Sequence, residues 1–250
     1  MTDSEDLNKK VRTVLITGAS GGIGREIAIR FAKEGWNTVC HYNRSKQKAE
    51  QLKEIIDSLG GICHLIKGDF SSQTEFQSFI DTVKSFDIDS IINCAGTYVL
   101  SRTLSDLDID FLTVAFAINT FAPMLSAAHF FESMKEKSFG RIVNISSIAA
   151  KYGGSLCSMH YGCSKRALEG ITRTLAREGA KNNVLVNTVR LGVIDTEFHN
   201  TFPKDMKKRI GMIPVQRIGK PTEVVDIIYY LGSDKNTFIT NETIAVAGGE

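Results

Sequence analysis

Tyr161 and Lys165 stand four apart in residues 159–175, where Leu168, Ile171 and Leu175 recur at helical spacing. Residues four apart share a helix face, so this spacing sets a phenol beside an ammonium. A phenol with a reference pKa of about 10 is a poor proton donor at neutral pH, and a neighbouring cation favours its phenolate and pulls that value down. The pair is a candidate acid/base device; the same spacing also describes an ordinary solvated helix face.

A second candidate lies near the start. Thr17-Gly18-x-x-x-Gly22-x-Gly24 follows an apolar run at 12–17 and opens a helical pattern carried by Ile23, Ile27 and Phe31. Strand, glycine turn and helix let backbone approach a phosphate while the helix N-terminus supplies N–H groups. With Ser20 among the glycines, the stretch reads as a nucleotide site, although it matches neither Gly-x-Gly-x-x-Gly nor the P-loop. Where NAD sites place an acid after the second strand, this chain has Asn43, Arg44 and Ser45. Arg44 can pair with a 2′-phosphate and Ser45 can hydrogen-bond it, which favours NADP(H) over NAD(H); the other reading is a surface charge and a helix cap. Asp69 and Phe70 follow the third strand where an adenine could rest, Asp69 being a base contact or a turn residue. The small residues Cys94, Ala95 and Gly96 let a strand end crowd a ligand, and Asn93 can pin neighbouring backbone. Asn119 is an amide in an apolar helix expected over 111–131, either a satisfied core residue or a deliberate polar site.

These residues need elements to position them. Strands are expected at 12–17, 37–42, 62–66, 90–96, 141–145, 184–191 and 243–246, with helices between them. Alternation of this kind is an α/β doubly wound parallel sheet with helices on both faces, whose crevice lies at the strand C-terminal ends. The Gly18 loop, Asn93 and Ser147 all fall there. Residues 197–219, with Pro203 and Pro214 around a short basic helix, read as a substrate lid. The 250 residues show no linker or repeat, so a single domain over 11–250 is expected behind a flexible tail at 1–10. A net charge of +2 with scattered Lys and Arg offers no field for nucleic acid. Five cysteines in mostly apolar runs read as small buried side chains in a reducing compartment, with no metal site. Without an apolar leader or a run long enough to span a membrane, a cytoplasmic protein is expected.

Taken together and in order, Thr17-Gly18-x-x-x-Gly22-x-Gly24, Asn93-x-Ala95-Gly96, Asn119, Ser147, Tyr161-x-x-x-Lys165 and residues 192–196 make the chain resemble the short-chain dehydrogenases/reductases over 11–249. Residues 41–45 look most similar to NADPH-using members, the 3-oxoacyl-[acyl-carrier-protein] reductases and the pteridine or ketone reductases. The resemblance implies a Rossmann-type sheet of order 3-2-1-4-5-6-7 and reduction of a ketone to a secondary alcohol. It implies that Tyr161 protonates the substrate oxygen, that Lys165 tunes Tyr161 and holds the nicotinamide ribose, and that Ser147, rather than Ser146, steadies the oxyanion. Asn119 would support a water-linked proton relay through Lys165. Gly18, Ser20, Gly22, Ile23 and Gly24 would cradle the pyrophosphate, Asn93, Ala95 and Gly96 border the adenosine side, and Gly192, Ile194 and Thr196 meet the carboxamide.

Two departures stand out: Leu191 replaces the family's usual proline, which would leave the carboxamide loop less rigid, and Asn241 replaces a usual glycine. The Ser147 to Tyr161 separation is also one residue longer than in many members. A 3-oxoacyl thioester or a similar ketone is the expected substrate. Arg102, Lys204, Lys207, Lys208 and Arg209 either meet an acyl carrier protein or CoA, or form a solvated face. A homotetramer or homodimer built on 104–131 and 159–181 is expected. The alternatives are an NAD-dependent alcohol or sugar dehydrogenase and a non-catalytic cofactor-binding regulator.

Overall fold

The computed structural model describes residues 10–98, 103–199 and 205–250. All but Lys10 of the expected tail, and Arg102, Pro203 and Lys204, lie outside the described residues. The strands are β1 (Thr13–Thr17), β2 (Asn37–Tyr42), β3 (Cys63–Lys67), β4 (Ser90–Asn93), β5 (Gly140–Ser147), β6 (Val184–Leu191) and β7 (Thr243–Val246). They form one parallel sheet of order β3-β2-β1-β4-β5-β6-β7, as the sequence led us to expect. The order reverses direction between β1 and β4, which opens the crevice at their C-terminal ends.

Strand alternation sorts the apolar runs into two cores. Val14, Ile16, Ile92, Val143 and Val189 face one side, under α1 (Gly22–Lys33), α2 (Lys46–Ser58) and α9 (Thr222–Gly232). Leu15, Val39, Ile91, Ile142 and Val186 face the other, under α3 (Gln73–Val83), α5 (Ala122–Glu136) and α7 (Met159–Gly179). Both faces are thus covered, and β1 is buried from Val14 to Thr17.

Three elements differ from expectation, each for a local reason. β4 stops at Asn93 rather than running to Gly96, because Thr17 Oγ1 accepts from the N–H groups of Cys94 (3.1 Å) and Ala95 (3.0 Å) and draws them out of the ladder. The expected helix at 111–131 is α4 (Ile109–Phe116), a π-helical turn over Ala117–Phe121, and α5. Pro123 has no N–H to give the carbonyl of Asn119, so regular α-helical bonding fails at that position. The short α6 (Ala149–Tyr152) follows β5 and ends at Gly153, whose φ of +85° suits a residue without a Cβ.

Ile109–Glu136 is one continuous helical stretch long and apolar enough to cross a membrane by length and composition. That corrects the expectation that no run reaches this length. Its inner side is polar where it meets α7: Asn119 Nδ2 donates to Ser164 Oγ (3.1 Å) and Thr120 Oγ1 to the Ser164 carbonyl (2.9 Å). A helix bonded in this way is a layer of the α/β sandwich, and its outer side leaves Phe121, Met124 and Leu125 exposed.

The turn from β1 into α1 is held by close approach. A Cβ on Gly24 would lie 2.3 Å from the Gly18 carbonyl oxygen, and one on Gly18, whose φ is +70°, would lie 2.8 Å from Ala95 Cα. Both obstacles are backbone, so neither can swing aside. Gly24→Ala is accordingly expected to destabilise the protein by roughly 1–3 kcal/mol, read as a lower urea midpoint at unchanged slope.

Candidate active site

A cleft of about 1690 Å³ crosses the C-terminal ends of the strands. Drug-sized ligands occupy roughly 300–1,000 Å³, so the cleft has room for a dinucleotide and a second molecule. At its floor, Gly21 caps α1 with no side-chain hydrogen bond, and no acid sits in the first turn. The first-turn N–H groups of Gly22, Ile23 and Gly24 have no intrahelical acceptor and carry the positive end of the helix dipole. Gly18, Ser20, Gly22, Ile23 and Gly24 all line the cleft, which suits a pyrophosphate.

Asn43, Arg44 and Ser45 line the cleft beyond this turn, where Arg44 and Ser45 are exposed. Ser45 is the N-cap residue of α2, yet its hydroxyl makes no capping bond, so the bland capping role falls away. Asp69 behaves as a turn residue: its Oδ1 accepts from Ser71 N (2.9 Å) and Ser71 Oγ (2.6 Å), and its carboxyl is held below the usual range first by the Ser71 hydroxyl. It still lines the cleft, as does Phe70, which is buried and stacked on His41 at 4.0 Å between centroids.

At the opposite end β5 and α7 bring Ser147, Tyr161 and Lys165 together. Successive strand residues point to opposite faces. Ser146 therefore turns into the protein and donates to Glu169 Oε1 (2.8 Å), while Ser147 is hydrogen-bonded to Tyr161. Lys165 Nζ donates to the Ile145 carbonyl (2.8 Å) and lies 6.0 Å from the Tyr161 ring centroid. Burial decides the proton energetics here. It pushes Tyr161 up to about 12, against the lowering effect of the Ser147 hydrogen bond, and pushes Lys165 down to about 8. The expected lowering of Tyr161 by a neighbouring ammonium is thus outweighed, because both groups are taken out of water, which disfavours the charged form of each.

Two expected contacts sit behind the cleft wall. Asn93 is 1% exposed and donates to Asn144 Oδ1 (2.8 Å), which ties β4 to β5 beneath the floor; it does not border the adenosine side. Asn119 is fully buried, with Oδ1 accepting from Thr97 N (2.9 Å) and Nδ2 donating to the Thr97 carbonyl (2.9 Å) and to Ser164. Its side chain positions the strand-to-loop turn. Gly96 lets this packing close: a Cβ there would meet Lys165 Nζ at 3.3 Å and Asn119 Oδ1 at 3.4 Å. Ala95 lines the cleft beside it.

Gly192, Ile194 and Thr196 line the cleft above β6. Leu191 pairs with Val246 in the ladder, and Gly192 N donates to the Val246 carbonyl (3.0 Å). Asp195 N bonds the Gly219 carbonyl (2.8 Å) and Gly219 N the Val193 carbonyl (2.9 Å), so this loop is pinned without the proline. Asn241 takes a φ of +65°, the left-handed backbone that asparagine tolerates in place of glycine.

Several cleft residues escaped the sequence reading. Arg25 and Lys48 line the cleft beside Arg44, with Arg25 bonded to Glu26 (2.7 Å) and Lys48 paired with Glu197. Tyr98 packs edge-on against Tyr161 at 4.9 Å, and Phe198 lies 6.4 Å from the same ring. Glu250 lines the cleft too, its Oε2 accepting (2.7 Å) from Arg209 on α8 (Met206–Gly211), a residue expected as part of the basic lid face that also lines the cleft. Arg25, three positions past Gly22 on α1, was legible as a helix-face neighbour; the others reach the cleft from segments distant in sequence.

With this geometry in place, comparisons with known proteins are consistent. The sequence profile of a family described as enoyl-(acyl carrier protein) reductase matches residues 18–250. The 3-oxoacyl-[acyl-carrier-protein] reductase FabG of Staphylococcus epidermidis is 32% identical over 249 residues, covering 95% of this chain and 98% of that protein. An uncharacterized oxidoreductase of Bacillus subtilis, YmfI, is 30% identical over 240 residues, with 95% and 98% covered. The crystal structure of a 3-oxoacyl (acyl-carrier-protein) reductase from Agrobacterium tumefaciens with NADP bound superposes with a TM-score of 0.87 at 27% identity, covering 96% of this chain and 94% of that one.

Lys165 carries a testable cost. Its folded pKa of about 8 lies below the reference 10.5, so the unfolded chain binds more protons between those values and stability rises with pH across that window. Below pH 8 the cost of the buried charge is fully present. Replacing it by Lys165→Met removes that cost and one hydrogen bond, and should stabilise the protein by about 2 kcal/mol at pH 7. In paired thermal melts the gain should vanish by pH 10.5.

Proposed function

Because the chain belongs to the short-chain dehydrogenase/reductase family, in its FabG-like branch, we propose that this oxidoreductase reduces a ketone to a secondary alcohol with NADPH, on a 3-oxoacyl thioester. The observation that carries the reading is the convergence of Ser147, Tyr161 and Lys165 at one end of a cleft whose other end is an uncapped helix N-terminus flanked by Arg44. A nicotinamide dinucleotide, when bound, supplies the hydride. Gly18, Ser20, Gly22, Ile23 and Gly24 hold its pyrophosphate, Asn43, Arg44 and Ser45 its adenosine phosphate, Asp69, Phe70, Ala95 and Gly96 border the adenosine, and Gly192, Ile194 and Thr196 its carboxamide end.

Tyr161 gives its phenolic proton to the substrate oxygen. Burial keeps that proton in place at neutral pH until an acceptor arrives, which is the state an acid needs before the reaction. The Ser147 hydroxyl donates a hydrogen bond to the same oxygen as negative charge grows on it, a fixed dipole in a water-poor site. Lys165 holds the ribose and steadies the phenolate left on Tyr161. The Asn119 carbonyl, which Pro123 cannot bond, supports a water that returns a proton through Lys165.

The thioester is supported by the FabG relatives and by the exposed Lys207 and Lys208 on α8, which suit an acidic carrier protein or CoA. Residues 197–219 act as the lid, anchored at one end where Lys48 pairs with Glu197 and at the other where Gly219 bridges to Ile194. Five free thiols, Cys40 and Cys63 among them buried, suit the reducing cytoplasm. Val114, Phe121, Met124 and Leu125, all exposed on one helical stretch, suit burial between copies in a homotetramer or homodimer.

Purified protein should oxidise NADPH in preference to NADH when given acetoacetyl thioesters. Tyr161→Phe should lower kcat by roughly 10²–10⁴ with NADPH binding unchanged. Good turnover of another ketone with none of any thioester would remove the acyl substrate. Light scattering should return twice or four times the 27.5 kDa chain mass, and a monomer would remove the shared helical face.

A further inference from the structure

His41 is 3% exposed, lies at the end of β2, and makes three bonds to backbone on two other strands' loops. Its Nδ1 accepts from Gly18 N (3.1 Å), its Nε2 meets the Gly68 carbonyl (2.9 Å), and its own carbonyl accepts from Ala19 N (2.9 Å). A neutral imidazole has one donor and one acceptor. The Gly18 N–H requires the lone pair on Nδ1 and the Gly68 carbonyl requires the proton on Nε2, so the partners themselves select the Nε2–H tautomer. The ring face then stacks on Phe70, with ring planes 10° apart, and its edge meets Phe79 at 5.2 Å.

One side chain thereby touches each wall of the cofactor end. Gly18 enters the glycine turn with a positive φ and is pressed on Ala95, so its N–H points inward, away from the first-turn N–H groups that face the cleft. Without an internal acceptor that N–H is buried and unpaired, and the turn must rotate to satisfy it. Gly68 begins the wall that carries Asp69 and Phe70, and His41 precedes Asn43, Arg44 and Ser45 by two to four residues. We propose that His41 is a positioning residue for the dinucleotide, its Nδ1 holding the inward N–H of Gly18 so that the glycine turn presents its remaining N–H groups to the pyrophosphate. The inference rests on the cofactor reading above and adds to it a residue at the cleft's edge that acts through the Gly18 backbone.

Asparagine places an amide oxygen where Nδ1 stands, whereas glutamine reaches only the Nε2 position. His41→Asn therefore keeps the acceptor for Gly18, His41→Gln keeps only the partner of Gly68, and His41→Phe keeps the stacking ring and neither bond. Dissociation constants for NADPH and NADH, taken by fluorescence titration, should rise roughly 10–100-fold in His41→Gln and His41→Phe and by less than about 3-fold in His41→Asn. At saturating cofactor, kcat should stay within about 3-fold of wild type in all three, so the loss appears in KM for the dinucleotide. Because Asn and Gln bury the same amide, a merely structural role would move both alike, and equal binding by the two variants overturns the proposal even if His41→Phe fails to fold. Wild-type protein that binds neither dinucleotide overturns the cofactor reading and this inference with it; wild-type binding matched by His41→Gln overturns this inference alone.

Discussion

The turn after β1 packs closely, backbone against backbone, on the segment after β4, and the rest of the site is hung on that approach. Gly24 closes on the Gly18 carbonyl, Gly18 closes on Ala95, and Gly96 makes room for Lys165 and Asn119. Thr17 holds the second segment by taking two of its N–H groups. In this way the floor that faces a phosphate and the ammonium at the reactive end are separated by one short run of small residues. A displacement at either end is felt at the other, because close-packed backbone has no soft coordinate to absorb it.

Burial of charge is the main energetic expense of that arrangement. Among the described residues Lys165 has one carbonyl as its hydrogen-bond partner and Tyr161 has Ser147, and burial disfavours the charged form of both. Such a pair destabilises a ligand-free protein, and sites of this kind are held by the surrounding fold. Here the support is polar as well as apolar. Asn93 bonds Asn144, Asn144 Nδ2 donates to Thr172 Oγ1 (2.9 Å), and Thr172 meets Thr188 (2.7 Å), which links β4, β5, α7 and β6 through a fully buried chain. A buried network of that length fixes the rotation of α7, and with it the direction of Tyr161.

A second clamp lies one turn further along α7. Burial disfavours the Glu169 carboxylate, yet bonds from Arg190 and Ser146 win and hold it below its usual range. Arg190 binds it through Nε (2.9 Å) and Nη2 (2.7 Å), the two-pronged geometry suited to a carboxylate. Because Ser146 joins the same carboxylate, the strand that carries Ser147 is aligned with the helix that carries Tyr161. The polar groups facing away from the cleft thus set the angles of those facing into it.

The sequence by itself determined the strands, their alternation with helices, the seven-stranded parallel order implied by the resemblance, and the glycine turn. The strands, helices and turn follow from periods of two and 3.6 and from residue types whose backbone preferences are local, whereas the order came with the resemblance. It also picked out Tyr161 and Lys165, because helix spacing is itself local, and it preferred Ser147 to Ser146 only through the family resemblance. Only the tertiary structure decided that Asn93 and Asn119 lie behind the cleft wall, that Ser45 leaves its helix uncapped, and that Tyr161 is raised rather than lowered. Each depends on which atoms from distant segments surround the group: Asn144 for Asn93, Thr97 and Ser164 for Asn119, and burial beside Ser147 and Tyr98 for Tyr161. The pinning of the Leu191 loop by Gly219 and the meeting of His41 with Gly18 and Gly68 belong to the same class. Spacing along a chain says which residues share a face, while desolvation and hydrogen-bond partners exist only once the faces have met.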